Sequence, residues 1–179
     1  MNLEFEPLVE LHFPLLLKWL EMPHVKAWWD KDIKRTLDSI REKYGTYVKG
    51  YKLLKIQDKM IEMAIYPFII VYDKTPIGYI QYYDKYDFLS EQNYETIELP
   101  QSCAGIDIYI GESEFINKNI GTKVLESFLE LHVSHKFHNV IVDPDTDNLR
   151  AIRVYEKVGF REIGKIKDGQ ITLMIRKSD

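Results

Sequence analysis

Apolar positions along the chain recur with two rhythms, alternation in some segments and helical spacing in others, and the two kinds of segment are interleaved. Residues 3–9 alternate well enough for a first strand. Residues 13–20 form an apolar stretch suited to a helix starting near Pro14. Over 32–47, Ile33, Leu37, Ile40 and Tyr44 stand at helical spacing before Gly45, whereas 48–65 show no clear period. Residues 67–72 and 77–83 read as two strands joined by the turn Asp73-Lys74-Thr75-Pro76. In 104–110, Ile106, Ile108 and Ile110 point to one face of a strand, and Asp107 and Tyr109 to the other. A helix over 121–132 turns Val124, Leu125, Phe128 and Leu131 inward, and residues 139–143 form a short Val/Ile-rich strand. A helix over 149–158 lines up Leu149, Ile152, Tyr155 and Val158, with Asp147 or Asn148 as its cap and Gly159 as its stop. Strands over 161–166 and 171–176, around a turn at Asp168-Gly169, complete the chain. This order predicts one α/β domain over residues 1–179, built on a mixed sheet, with no repeat or linker to divide it.

Composition narrows the function. A 45% hydrophobic, 13% aromatic chain of 179 residues suits one globular domain with a full core. It holds no run long and apolar enough for a membrane span. Its start is acidic where a signal peptide is basic and then apolar, so a cytoplasmic protein is expected. The net charge of −4 argues against a general nucleic-acid binder, which needs a basic face. Cys103 is the single cysteine, which excludes an internal disulfide, and it has the character of a small packed residue. His132, His135 and His138 share a helical spacing but no carboxylate or thiol motif joins them, so no metal site is expected. Between Asp84 and Glu98, five acids (Asp84, Asp87, Glu91, Glu95 and Glu98) face one base, Lys85. Such a segment is either a solvated acidic loop or a field that draws in a cationic substrate.

Several polar side chains converge near residues 107 and 143–160. The block Asn148-x-Arg150-Ala151-x-x-x-Tyr155-x-x-x-Gly159-Phe160 resembles the last conserved block of the GNAT N-acetyltransferase superfamily, whose members move an acetyl group from acetyl-coenzyme A to an amine. The segments 75–83, 105–111, 120–123 and 143–160 are similar, in the same order, to blocks of the aminoglycoside 6'-N-acetyltransferases, and 24–29 resembles their N-terminal block. The resemblance implies a GNAT-like single domain with a mostly antiparallel central sheet flanked by helices. It also implies acetyl-CoA as donor, no metal, and a small cationic amine as acceptor, first of all an aminoglycoside 6'-amine, in an enzyme that confers antibiotic resistance.

The residue roles follow in part from the same likeness and in part from the chemistry of the residues, since the acidic segment 84–98 departs from the family in length and composition. Coenzyme A is expected along Ile108, Tyr109 and Ile110, at Asn148 and Ala151, and with its pyrophosphate at Asn117, Lys118, Asn119, Ile120, Gly121 and Thr122. A helix N-terminus supplies the N–H donors and positive dipole end that a pyrophosphate needs. This loop departs from the superfamily's Arg/Gln-x-x-Gly-x-Gly/Ala pattern: Ile116 takes the Arg/Gln position and Asn119 the first Gly, although Asn enters left-handed backbone conformations readily. Asp107 matches the family's catalytic base. An ordinary Asp, of pKa about 3.9, is a poor base, so orientation and charge pairing of the ammonium are equally open. Tyr155 is suited either to protonate the departing thiolate or to serve as a plain core aromatic. Trp28, Trp29, Tyr82, Glu91, Glu95, Asp107 and Asp143 are the expected acceptor contacts, Trp28 and Trp29 either as a wall beside a sugar ring or as packing between helices. Two rivals stand beside this expectation. One is a siderophore-type acyltransferase acting on hydroxylated lysine, whose pocket should hold a paired Arg or Lys; the other is a non-catalytic coenzyme A-binding module. A monomer or a homodimer is expected.

Overall fold

A computed structural model of the chain describes residues 2–29, 31–91 and 97–178. Nine strands are described: β1 (Leu3–Pro7), β2 (Tyr51–Ile56), β3 (Lys59–Ala64), β4 (Tyr66–Tyr72), β5 (Thr75–Asp84), β6 (Cys103–Ile110), β7 (Asn139–Val142), β8 (Arg161–Ile166) and β9 (Ile171–Lys177). The helices are α1 (Phe13–Glu21), α2 (Pro23–Lys26), α3 (Leu37–Tyr44), α4 (Ile120–Phe128) and α5 (Leu149–Lys157). Seven strands form one sheet in the order β1-β4-β5-β6-β7-β9-β8, while β2 and β3 form a separate hairpin. The β1/β4, β7/β9 and β8/β9 pairs are antiparallel and β6/β7 is parallel, giving the mixed, mostly antiparallel α/β architecture expected. Among the described residues, no helix is long and apolar enough to cross a membrane.

The chain resolves into two compact units, residues 1–81 with 108–118, and residues 82–107 with 119–179. In the first, α1 buries Phe13, Leu16, Trp19 and Leu20, the stripe that its spacing predicts. Here α3 starts later than expected, at Leu37, because Thr36 caps it: Thr36 Oγ1 accepts from the Ser39 N–H and the Ser39 hydroxyl accepts from the Thr36 N–H. Ile33 is therefore outside the helix and exposed. Residues 48–65 prove to be the β2/β3 hairpin, turning on Gln57 and Asp58, which both have positive φ. Leu53, Met60 and Ile61 are exposed there, and for that reason the segment shows no inside-outside alternation.

In the second unit, α4 carries Val124, Leu125 and Phe128 inward and then passes into a π-type turn, Leu129–Val133. The wider turn shifts the phase, so that Leu129 and Val133 become buried and Leu131, expected inside, is exposed. On α5, Asn148 is the cap, its Oδ1 accepting from the Ala151 N–H at 3.2 Å. Gly159, at φ 91°, ends the helix as expected. Leu149 is exposed, so the buried face begins only with the half-buried Ile152 and continues through Tyr155 and Val158.

Candidate active site

The chemistry in the second unit gathers where β6 and β7 part. Their parallel pairing runs from Cys103↔Asn139 to Gly105↔Ile141 and stops. β7 ends at Val142 because Pro144 follows, which has no N–H and restricts the residue before it. β6 continues to Ile110. Asp107 and Asp143 lie two residues past the last pair, Asp107 on β6 and Asp143 just beyond the end of β7. Tyr155, buried on α5 with its ring 5.7 Å from that of Phe160, completes the group. Burial pushes the Tyr155 phenol well above the usual tyrosine range, and the charges of Asp107 and Asp143 push it further. Tyr155 is thus a neutral hydroxyl, a proton donor beside two carboxylates.

Asp143 also has a partner that sequence reasoning missed. Lys85 Nζ donates to Asp143 Oδ2 at 3.2 Å, and Lys85 is only 1% exposed. The base that looked like one more charge in an acidic loop is thus turned inward. Its neighbours Tyr83 and Phe88, both buried and 4.7 Å apart between ring centroids, were the available signal of a packed segment. Tyr82, expected among the acceptor contacts, is 2% exposed, lies against Phe128 and Phe137 on the α4 side of its strand, and its hydroxyl accepts from Lys136 Nζ at 2.5 Å. Glu95 lies outside the described residues, as does the side chain of Glu91.

The start of α4 has the features expected of an anion site. Asn119 adopts the left-handed conformation, at φ 58°, as its place in the glycine pattern predicts. Its side chain makes no cap, and its Oδ1 accepts instead from Lys157 Nζ at 3.1 Å. The first N–H groups of the helix thus have no side-chain cap, and a cation stands beside them. Thr122 Oγ1 is buried without a hydrogen-bond partner among the described residues. A Cβ on Gly121 would meet only Val154 Cγ1, at 3.9 Å. Uncapped donors, an orphaned hydroxyl and a lysine fit an oxygen-rich anionic group such as the pyrophosphate of coenzyme A.

In the first unit, the expected site residues surround one aromatic cluster. Tyr109 stacks on Tyr79 at 5.5 Å and meets the edges of Trp29 at 5.0 Å and Trp19 at 6.3 Å. Burial drives the Tyr109 phenol well above the usual range, and its hydroxyl has no hydrogen-bond partner among the described residues. His24 Nε2 is 3.1 Å from the Ile110 carbonyl, which ties α2 to the end of β6. Trp29 is half-buried against Tyr109 of β6, while Trp28 stays exposed with Lys31 Nζ 5.4 Å from its ring. Ile108 and Ile110 are half-buried, and Asn117 shares the left-handed conformation at φ 61°. Among the described residues, no cluster of His, Cys, Asp and Glu could hold a metal ion.

The chain as a whole is similar to known proteins. An aminoglycoside N(6')-acetyltransferase type 1 of Klebsiella pneumoniae is 27% identical over 173 residues, covering 94% of this chain and 80% of that protein. A solved aminoglycoside 6'-acetyltransferase in complex with paromomycin and acetyl-CoA superposes with a TM-score of 0.78 at 26% identity, covering 99% of this chain and 94% of that one. A second such structure, with coenzyme A and kanamycin, gives 0.77 at 26% identity over 98% and 95% of the two chains. The family model for the acetyltransferase (GNAT) domain matches residues 9–168, and the chain belongs to that family.

Proposed function

We propose that the chain transfers the acetyl group of acetyl-CoA to the 6'-amine of an aminoglycoside, in the cytoplasm, by direct attack of the amine. The observation that carries this reading is the group Asp107, Asp143 and Tyr155 at the point where β6 and β7 part. Bound acetyl-CoA supplies the activated acetyl thioester. Asn119, Gly121 and Thr122, with Lys157, are the residues that would hold its pyrophosphate. Asp107 receives the acceptor's ammonium by charge, orients it, and takes its proton directly or through water, because only the neutral amine attacks. Tyr155, held neutral, gives its hydroxyl proton to the departing sulfur. A covalent route through Cys103 is disfavoured: the thiol is 0% exposed, and burial, against the pull of Lys85, pushes it up to about 12.

The test is acetyl-CoA consumption across aminoglycosides, polyamines and hydroxylated lysine. The expected result is turnover of aminoglycosides that carry a free 6'-amine and loss of turnover when that amine is absent. Preference for hydroxylated lysine would replace this reading with the siderophore-type one. Calorimetry tests the cofactor assignment separately. Acetyl-CoA binding is expected to survive Asp107→Ala and to be lost in Gly121→Trp, whose indole would cover the start of α4. Unchanged binding in Gly121→Trp would remove the pyrophosphate from this loop.

A further inference from the structure

Lys85 has no place in the acetyl transfer as described, yet its partner Asp143 belongs to the group that carries that reading. Lys85 is 1% exposed, its Nζ is 3.2 Å from Asp143 Oδ2 and 5.5 Å from the centroid of the Tyr83 ring, and the Asp143 side chain is 13% exposed. Burying either charge alone is costly, so the ammonium and the carboxylate stabilise one another here. Asp107 and Asp143 each lie two residues past the last β6/β7 pair, Gly105↔Ile141, and both carboxylates act on Tyr155. We propose that Lys85 is a positioning residue for acetyl transfer: by cancelling the charge of Asp143 it relieves the like-charge repulsion on Asp107, which then stays ionised to receive the acceptor's ammonium.

The other titratable groups around the pair do not take over this task. Asp84 and Lys85 both act on Cys103, whose buried thiol stays protonated, and Asp84 also acts on Asp87. Asp84 and Asp87 add negative charge, whereas Lys85 pairs with Asp143 and opposes its charge. Tyr155 stays neutral and adds no charge. The inference rests on the role of Asp107 in the proposed function, and it concerns a lysine to which the sequence pattern assigned no role.

The sign of each substitution follows from Coulomb's law. Lys85→Met leaves the Asp143 carboxylate opposed to Asp107, disfavours ionised Asp107 and moves the acid limb of kcat/KM to higher pH. Asp143→Asn leaves the ammonium instead and moves the limb to lower pH. The double variant removes both charges and returns the limb toward that of the wild type. The experiment is the pH profile of kcat/KM for the four proteins with one aminoglycoside and saturating acetyl-CoA, each checked for folding by circular dichroism. Shifts of about one pH unit in opposite directions are expected for the single variants. The acceptor's own ionisation is common to all four and cancels in the comparison.

Limbs that coincide in all four proteins, or that move the same way in both single variants, would overturn the proposal. If Lys85→Met does not fold, the downward shift in Asp143→Asn and its reversal in the double variant still decide the matter. Wild-type turnover and its loss in Asp107→Asn test the proposed function by themselves. If they hold and the limbs fail to diverge, only the role of Lys85 falls.

Discussion

Asp107→Asn lowers kcat by on the order of 10²-fold or more, the range typical of a positioned acid or base, while the circular dichroism spectrum stays that of the wild type. The substitution keeps the shape of a half-buried side chain on β6, past the point where its pairing with β7 ends, so the strand has no reason to move. What it removes is a negative charge and a proton acceptor. Asparagine can neither hold the acceptor's ammonium by charge nor take its proton. Tyr155→Phe costs less, because water can protonate a departing thiolate and a phenol is not required to hold the acceptor. Since burial and the two carboxylates raise the Tyr155 phenol, it stays a donor throughout the neutral range, and an alkaline limb near neutrality would belong to another group. Steady-state rates for the two variants check both statements. Near-normal turnover in folded Asp107→Asn would falsify the assignment of the base.

The largest stability effect is expected from Trp19→Ala, at about 3–5 kcal/mol. Trp19 is 0% exposed, and its ring fills the space beside Gly111, where an added Cβ would come within 2.1 Å of it. Its edge lies against Tyr109, and its Nε1 donates to Glu112 Oε1 at 2.8 Å. Truncation opens a cavity in the aromatic cluster and removes one of the two donors of that carboxylate, the other being Lys18 Nζ at 2.6 Å. Burial by itself would raise the Glu112 carboxyl, but the bonds from Lys18 and Trp19 carry it below the usual range. A lowered folded-state pKa stabilises the fold above the unfolded value and loses that contribution as pH falls through the folded one. The acid side of the wild-type stability curve should therefore be steeper than that of Trp19→Ala. Denaturant unfolding at several pH values measures both effects, and a loss below about 1 kcal/mol would mean that the cluster closes over the missing indole.

The parts of the site that were legible in the sequence are those governed by short-range rules. Asn148 and Gly159 bracket α5 because a cap and a stop act within one turn, and the spacing of Ile152, Tyr155 and Val158 then fixes the buried face. Asn119 was expected in the left-handed region because few side chains tolerate it, and that expectation holds at φ 58°. The strand over 104–110 with Asp107 on it, and the helix from 121 after it, followed from alternation and helical spacing in the same way, and β6 and α4 each begin one residue earlier.

What remained illegible depended on partners far along the chain. Tyr82 and Tyr83 are the same residue type on opposite faces of β5, and alternation shows only that they differ; Phe128 and Phe137 on one side, and Phe88 with Gly105 on the other, decide which is which. The π-type turn that exposes Leu131 has no compositional mark that periodicity could detect. Lys85 looked like a solvated base because its partner Asp143 is 58 positions away. Taken alone, the sequence determined most of the strands and helices outside 48–65 and where α5 is capped and stopped, since backbone geometry and periodicity are local, whereas the joint roles of Asp107 and Tyr155 were implied by the family resemblance. Only the tertiary structure decided which charge is turned inward and which is left to meet an acceptor, because compensating a buried charge requires two groups that the chain brings together only when it folds.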